Sequence, residues 1–203
     1  MVLRELGADV ISFGTQPNGT NINQDCGSMH PALLASKVRE YRADLGIAHD
    51  GDADRVILCD ETGAVIDGDD ILAIAGLQML ADGTLAGNTV VATVMSNAGL
   101  DAAIVAAGGK VLRTPVGDKH VIDLMLAEGY SLGGEQSGHL IFRDHSTTGD
   151  GLVAALQILS AMKTRDLPLS VMAKCWQRYP QVVTNMKVRS KPPPERVPGF
   201  NWE

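Results

Sequence analysis

Three aspartates, Asp50, Asp52 and Asp54, occupy alternate positions of a short segment that ends in Arg55. On a turn between two apolar strands, carboxylates with this spacing can converge on one hard cation. Mg²⁺ prefers such oxygen ligands and keeps positions for water or a substrate phosphate. We expect Gly51 to let the backbone fold tightly there, and the forked guanidinium of Arg55 suits a phosphate oxygen. The segment therefore predicts a Mg²⁺ site bordered by a phosphate-binding arginine.

Three other interpretations of this acidic segment have to be weighed. A solvated acidic turn has a similar composition, although strict alternation of three aspartates exceeds what a turn needs. A calcium-binding EF-hand loop would place its acidic twelfth residue at Glu61, but it needs glycine where Arg55 stands and helices on both sides. A phosphatase with Asp50 as its nucleophile would begin similarly, although here the chain re-enters a strand at once. The spacing favours Mg²⁺ and leaves a non-catalytic metal-binding module and a phosphatase as alternatives.

A second loop, rich in glycine, carries Glu135, Ser137 and His139 at alternate positions. It lies between two short predicted strands at the carboxyl edge of a predicted sheet, where open α/β sheets bind ligands. A carboxylate and a hydroxyl suit sugar hydroxyl groups, and an imidazole can bind phosphate or move protons. The spacing lets all three side chains face one polyol; a glycine-rich hairpin with incidental polar residues is the alternative.

Two further segments carry weaker signals. Lys119 lies where a predicted strand ends and a helix begins, and a helix N-terminus attracts anions. This lysine can therefore meet a phosphate or simply be exposed. The segment from Thr147 to Gly151 precedes a predicted helix and is best explained as its cap.

Periodicity places these segments among alternating strands and helices. The predicted strands cover residues 8–13, 45–48, 56–59, 64–66, 88–95, 110–114, 130–133, 140–142 and 181–188. The predicted helices cover residues 31–41, 69–81, 98–107, 118–128, 149–162 and 169–176, with Asp69 or Asp70 as the cap of the second. Strands that alternate with helices of about ten residues indicate parallel βαβ units. The expected fold is therefore α/β with mixed sheets, divided near Asp67–Gly68, and residues 191–194 form an extended linker.

The composition excludes several classes of protein. With 203 residues and 45% hydrophobic content, the chain can bury one large core or two small ones. Its formal net charge of −7 argues against a nucleic-acid-binding or anionic-membrane surface, although a local basic pocket can still bind a small anion. Its three cysteines form no Cys-x-x-Cys pair and no disulfide framework, so we expect a reducing, cytoplasmic location.

The chain has no apolar run of the ~20 residues that a membrane span needs, and its first residues lack the order of a signal peptide. They look instead like the last turns of a helix that ends at Gly7. We therefore expect the chain to begin within an element and to have been cut from a longer protein.

Four segments, taken together and in this order, resemble the α-D-phosphohexomutase family. They are Asp50-Gly51-Asp52-Ala53-Asp54-Arg55, Val116-Gly117-Asp118-Lys119, Gly134-Glu135-Gln136-Ser137-Gly138-His139 and Thr147-Thr148-Gly149-Asp150-Gly151. The third segment in this form, with Pro17 to Asn23 upstream, is most similar to bacterial members that act on amino sugars. The resemblance spans nearly the whole chain, and the ordered set is far more specific than any one motif.

The resemblance implies two phosphohexomutase-type domains, of which the first is partial. Residues 1–66 would be the later part of a second domain and carry the metal loop. Residues 67–180 would be a third domain that carries the sugar-binding loop, and residues 181–203 a linker or the start of a fourth domain. Mg²⁺ would be held beside a phosphoserine by Asp50, Asp52 and Asp54.

The resemblance also implies a reaction and roles for named residues. Glucosamine 6-phosphate and glucosamine 1-phosphate would interconvert through a bisphosphate intermediate, on the route to peptidoglycan precursors. Arg55 would contact the phosphoryl group in transit, and His139 would lie near the reacting end. Glu135 and Ser137 would bind sugar hydroxyls, and Lys119 would bind a phosphate. Mannose and glucose phosphomutases share the scaffold and stay open as alternatives.

Two motifs of the family are not found in this sequence. The nearest match to the phosphoserine motif Ser-His-Asn/Asp-Pro is Ser28-Met29-His30-Pro31, which has an inserted methionine and is rejected. The phosphate-binding motif Arg-x-Ser-Gly-Thr-Glu-Pro is also absent. Because phosphoryl transfer depends on positioning and charge neutralisation, the chain alone is expected to be inactive, with the first and fourth domains as its partners. The oligomeric state is left open, a homo-oligomer included.

Overall fold

The computed structural model describes residues 2–182 and residue 184, and two β-sheets organise this part of the chain. The strands are β1 (Leu45–His49), β2 (Val56–Asp60), β3 (Val65–Ile66), β4 (Thr89–Thr93), β5 (Lys110–Thr114), β6 (Leu132–Gly134) and β7 (Leu140–Phe142). The helices are α1 (Val2–Glu5), α2 (Pro31–Tyr41), α3 (Gly68–Ala81), α4 (Ala98–Ala106), α5 (Asp118–Glu128), α6 (Gly151–Arg165) and α7 (Leu169–Met172). None of the helices in the described residues is long and apolar enough to cross a lipid bilayer.

The first sheet is antiparallel, with strand order β1-β2-β3, and the acidic segment forms the loop between β1 and β2. Helix α2 packs against both of these strands. It begins at Pro31, where the missing N–H of proline is not needed, and ends at Tyr41, which the left-handed C-cap residue Arg42 follows. Gly46 allows the close approach, since a Cβ there would lie 2.6 Å from Val38 Cγ2. This packing fixes the strand that leads into the acidic segment.

The second sheet is mixed, with strand order β5-β4-β6-β7. Strands β5 and β6 run parallel to β4, and β7 runs antiparallel to β6. Helix α4 connects β4 to β5 and helix α5 connects β5 to β6, so the predicted βαβ units are present. The carboxyl ends of β4, β5 and β6 therefore meet at one edge of the sheet, where the glycine-rich segment follows β6.

One apolar cluster joins the two sheets. Helix α3 is buried continuously over residues 71–75 and packs against α4 and α6. The same cluster contains Val56 and Leu58 of β2 together with Leu132 of β6. Burying one such aliphatic side chain contributes about 1.5–3 kcal/mol. The strand that leaves the acidic segment is thus anchored in the core that also supports the glycine-rich segment.

The strand predicted at residues 8–13 is wrong, because this segment has no regular structure. Ile11 and Phe13 are about half exposed there. A strand needs a neighbouring strand to pair its main-chain groups, and neither sheet of the described residues includes this segment. Of the strand predicted at residues 181–188, residues 181, 182 and 184 are not in a strand, and the rest lie outside the described residues.

The start of α3 also differs from the prediction. Its N-cap is Asp67, which accepts hydrogen bonds from the main-chain N–H groups of Asp69 and Asp70. The Asp70 carboxylate accepts in return from the Asp67 N–H at 3.0 Å, which completes a capping box. The cap predicted within Thr147–Gly151 is confirmed, since Asp150 accepts from the N–H of Val153 at the start of α6. The helix predicted at residues 169–176 is the single turn α7 followed by the 3₁₀ turn Ala173–Cys175.

Candidate functional site

The acidic loop, residues 50–55, brings its three aspartates together. One carboxylate oxygen from each of Asp50, Asp52 and Asp54 lies within 4.8 Å of the others. Strands β1 and β2 pair His49 with Val56, so the whole loop projects from the end of a two-stranded ribbon. Asp50 and Asp54 are partly buried and Asp52 is exposed. This arrangement of oxygen donors around one point fits a hard divalent cation.

The sharp turn of the loop is made by Ala53 and not by Gly51. Ala53 has a left-handed backbone, with φ of 60°, a conformation that is uncommon for residues other than glycine. Gly51 serves a different purpose, because a Cβ at this position would lie 2.4 Å from Cγ2 of Ile22. The residues that precede α2 therefore pack directly against the loop, which the sequence alone did not predict.

The electrostatics of the loop are set by three neighbouring carboxylates and one guanidinium beside them. Burial raises the pKa of Asp54, and Asp50 and Asp52 raise it further, while His139 opposes the shift. Nε of Arg55 lies 3.8 Å from an oxygen of Asp50 and 3.8 Å from an oxygen of Asp54. The Arg55 N–H also donates to Asp50 at 3.2 Å. One guanidinium beside three carboxylates leaves a net negative site, which a bound divalent cation would offset.

Two distant segments hold the acidic loop in this shape. The N–H of Gly151, at the start of α6, donates to the Ala53 carbonyl at 2.9 Å. The N–H of Val56 donates to the Gly138 carbonyl at 3.0 Å, and Arg55 forms an isolated antiparallel bridge with His139. The acidic loop is therefore joined by main-chain hydrogen bonds to the helix start that follows Gly149 and to the glycine-rich loop, residues 134–139.

The glycine-rich loop divides its three predicted side chains between two environments. A turn at residues 136–137 interrupts the strand alternation. Glu135 accepts a hydrogen bond from the Gly117 N–H at 3.0 Å, and the Ser137 hydroxyl lies 3.5 Å from the Glu135 carboxylate. His139 is only 4% exposed and faces Asp54 of the acidic loop. The structure thus brings Glu135 and Ser137 together at the surface and turns His139 inward.

Lys119 is exposed in the first turn of α5. The bond from Gly117 to Glu135 joins the start of this helix to the glycine-rich loop. A residue that sequence reasoning missed lies on the neighbouring strand: the Arg113 guanidinium donates to the carbonyls of Thr93 and Ser96 at 2.6 and 2.9 Å. It therefore fixes the loop after β4 at the same sheet edge. The available signal was an arginine that follows the apolar pair Val111-Leu112 within a predicted strand.

A further feature of the site, also missed from sequence, is a strap formed by residues 176–181. The Arg178 guanidinium donates to Asp67 at 2.8 Å and to Asp70 at 3.2 Å, and it lies over the Trp176 ring at 5.0 Å. The Trp176 indole N–H donates to the second oxygen of Asp70 at 3.0 Å. A cavity of ≈ 550 Å³ borders the glycine-rich loop and is lined by Asn97, Gln136, Arg178, Tyr179, Pro180 and Gln181.

Residues 67–179 match the family model for the phosphoglucomutase/phosphomannomutase α/β/α domain III. This match covers more than half of the chain and contains the glycine-rich loop and the helix start at Lys119. The chain therefore belongs to the phosphoglucomutase/phosphomannomutase family. The resemblance to α-D-phosphohexomutases, inferred from the four motifs, is confirmed.

Within this family, two similar relatives share one name. The chain is 56% identical over 197 residues to a protein named phosphoglucosamine mutase from Geobacter sp. (strain M21), covering 97% of this chain and 43% of that protein. It is 57% identical over 196 residues to a phosphoglucosamine mutase from Nitratidesulfovibrio vulgaris (strain DSM 19637 / Miyazaki F), covering 97% and 44%. The chain thus spans less than half the length of these relatives.

Solved structures share the fold at lower identity. A phosphoglucomutase/phosphomannomutase family protein from Burkholderia thailandensis has a TM-score of 0.74 and 24% identity, covering 85% of this chain and 38% of that one. An N-acetylphosphoglucosamine mutase from Aspergillus fumigatus, in complex with GlcNAc-6P and magnesium, has a TM-score of 0.60 and 20% identity, covering 78% and 38%. The predicted mixed α/β fold is confirmed.

Proposed function

We propose that this chain carries the metal-binding and sugar-binding loops of a phosphoglucosamine mutase. Such an enzyme interconverts glucosamine 6-phosphate and glucosamine 1-phosphate through a phosphoserine and a bisphosphate intermediate with Mg²⁺. The observation that carries the proposal is the junction of the acidic loop with the glycine-rich loop, which combines a cluster of oxygen ligands with exposed sugar-binding groups. The relative named phosphoglucosamine mutase, at 56% identity, supports the choice of substrate.

Within the longer enzyme, residues 1–66 would form the later part of a second domain and residues 67–180 a third domain. Residues 181–203 would be a linker or the start of a fourth domain. The partners of the chain would be a hexosamine phosphate and the remainder of the enzyme, since the matched relative is more than twice as long as the segment it shares with this chain. A cytoplasmic location fits a phosphorylated sugar substrate.

Asp50, Asp52 and Asp54 fit Mg²⁺ because all donors are oxygen atoms that lie within 4.8 Å of one another. Bound there, Mg²⁺ would neutralise charge on the phosphoryl group in transit. This chemistry requires that the phosphoryl group approach the open side of the loop, where Asp52 is exposed.

Different side chains around the loop would then bind different parts of the substrate. Arg55 would hold a phosphoryl oxygen, since its guanidinium is partly exposed beside the carboxylates. The Glu135 carboxylate would accept hydrogen bonds from sugar hydroxyls, and the Ser137 hydroxyl would donate to them. Lys119 would bind a substrate phosphate at the start of α5. His139 borders the same site from below the surface, next to Asp54.

The alternative within the family is a phosphomannomutase or phosphoglucomutase, both of which the description of the matching domain model names. Glucosamine and mannose phosphates differ at carbon 2 of the sugar, so a substrate panel separates these possibilities. A non-catalytic metal-binding module would bind a divalent cation and support no turnover.

A chimeric enzyme tests the proposal directly. This chain would replace the matched 197-residue segment of the Geobacter relative, and isomerisation of glucosamine 6-phosphate would be followed in a coupled assay with Mg²⁺ and the bisphosphate activator. We expect turnover in the chimera. We also expect Asp52→Asn to weaken Mg²⁺ binding and to lower turnover by about 10-fold or more, because the cation would lose one charged ligand.

Asp123→Asn, which removes the charge of an exposed aspartate on α5, is the matched control and should leave both quantities unchanged. A folded chimera that isomerises mannose phosphates but not glucosamine phosphates would transfer the assignment to the alternative. A folded chimera with no mutase activity on any hexose phosphate would refute the proposal.

A further inference from the structure

One side-chain hydrogen bond connects the acidic loop to the glycine-rich loop. Nδ1 of His139 lies 3.0 Å from Oδ2 of Asp54. An ionised carboxylate can only accept a hydrogen bond, so Nδ1 carries the hydrogen and donates it. His139 is therefore a direct neighbour of a candidate cation ligand, although the two residues are 85 positions apart in sequence.

The imidazole of His139 is held from several sides. Its side chain is 5% exposed, and its main chain forms the bridge with Arg55. The His139 carbonyl also accepts from the Glu135 N–H at 2.9 Å. The ring lies directly against Gly149, where a Cβ would come within 2.3 Å of both Cε1 and Nε2. With its ring and main chain fixed, His139 offers a rigid donor to the acidic loop.

A rigid donor at Oδ2 fixes the plane of the Asp54 carboxylate. The other oxygen, Oδ1, then lies 3.8 Å from Nε of Arg55, beside the remaining carboxylates. A metal-binding carboxylate usually has such a second partner, and removing the partner typically lowers metal affinity about 10–100-fold. Asp52, by contrast, is exposed and so keeps more freedom to adapt to a cation.

We propose that His139 is a positioning residue for the divalent-cation site, whose Nδ1–H holds Asp54 in its cation-binding orientation. This inference rests on the proposed function only in that the acidic loop binds a divalent cation. It assigns His139 a role that differs from contact with the reacting end of the substrate, which the motif resemblance implied. The geometry also explains why position 149 is a glycine, since any side chain there would displace the imidazole.

Three substitutions of His139 separate the contribution of Nδ1 from that of the ring. Asparagine can place an amide nitrogen near the position of Nδ1, glutamine reaches the position of Nε2 instead, and leucine supplies no donor. Mg²⁺ and Mn²⁺ affinities of the chain would be measured by isothermal titration calorimetry. We expect His139→Asn to bind close to the wild type, and His139→Gln and His139→Leu to bind about 10–100-fold more weakly.

The matched control is His120→Leu, which removes an exposed imidazole from α5 and should not change the affinity. Urea unfolding without metal measures the stability of each variant separately. A double-mutant cycle completes the test: in the Asp54→Asn background, His139→Leu should cause no further loss, because its effect passes through Asp54.

Each outcome bears on the inference. If His139→Leu lowered the cation affinity equally in the wild-type and Asp54→Asn backgrounds, His139 would act by stabilising the fold and not through Asp54. This result would overturn the inference. Unchanged affinity in His139→Leu would overturn it while leaving the metal site of the proposed function intact. A wild-type chain that binds neither cation would overturn both.

Discussion

Replacing Gly138 by alanine should break the junction between the acidic loop and the glycine-rich loop. Gly138 has a φ of +93°, and a Cβ built on it would lie 2.2 Å from the carbonyl oxygen of Val56 and 3.0 Å from its carbonyl carbon. Both are main-chain atoms at the start of β2, which is buried along its whole length. The new methyl group can therefore be accommodated only if the strand moves.

The size of the effect follows from three contributions. A left-handed backbone costs a non-glycine residue about 1 kcal/mol, and forcing a packed strand to shift costs about 1–3 kcal/mol. Weakening the hydrogen bond from the Val56 N–H to the Gly138 carbonyl adds about 1 kcal/mol. The free energy of unfolding should thus fall by roughly 3–5 kcal/mol, a large part of the 5–15 kcal/mol typical of a folded protein.

Gly129→Ala is the matched control. Gly129 also has a left-handed backbone, with φ of +79°, but a Cβ there would meet nothing within 4 Å. This variant should lose only about 1 kcal/mol. Urea unfolding of both variants, followed by circular dichroism, gives the two free energies from midpoint and slope.

We expect the difference between the variants to be about 2–4 kcal/mol, the sum of the strand shift and the weakened hydrogen bond. Divalent-cation affinity should also fall in Gly138→Ala and not in Gly129→Ala, because β2 follows the acidic loop directly. If Gly138→Ala were no less stable than Gly129→Ala, the contact with Val56 would not hold the two loops together.

Two further predictions concern the contact between the strap and the start of α3. Arg178→Ala should lower the free energy of unfolding by only about 1 kcal/mol, because the ion pairs of Arg178 with Asp67 and Asp70 are partly screened at 40% exposure. Arg178→Lys should recover part of this loss. Unchanged stability in both variants would show that Arg178 does not anchor the strap to α3. Burial raises the pKa of Asp70 to about 6 from 3.8. The folded chain therefore binds a proton between these pH values that the unfolded chain releases. The contribution of Asp70 favours folding at about pH 4 and is lost as the pH rises through about 6. The free energy of unfolding of the wild type, measured in urea titrations relative to Asp70→Asn, should therefore fall over this range. A difference between the two proteins that does not change with pH would contradict the shifted pKa.

Much of the fold could be predicted because its signals are local. The helix over residues 118–128 and the strand over residues 110–114 have the predicted limits, since apolar periodicity is interrupted at both ends by glycine, proline or charged residues. The strand predicted at residues 8–13 has the same kind of pattern, but no strand of the described residues pairs with it. Alternation indicates that a segment is able to pair, and only the tertiary structure supplies the neighbour.

The cap of α3 shows where local chemistry is ambiguous. Three aspartates stand near the helix start, and any of them has a side chain suited to capping. Asp67 and Asp70 form the capping box, whereas Asp69 is fully buried and accepts from the main-chain N–H of Asn97 at 2.9 Å. The choice between them is made by a contact with the loop after β4, and no pattern of neighbouring residues contains that information.

The candidate site also depends partly on local sequence signals and partly on tertiary contacts. The convergence of the aspartates could be predicted because it depends on alternate spacing within one loop. The shape of that loop depends on Gly138 and Gly151, whose main-chain groups bond to Val56 and Ala53 across more than 80 residues of sequence. Glycine is needed at both positions because a Cβ would come within 2.2 to 2.6 Å of main-chain oxygen atoms of Val56 and Arg55. The candidate cation site is therefore a property of the assembled fold, in which distant glycines allow three main-chain segments to meet around one cluster of carboxylates.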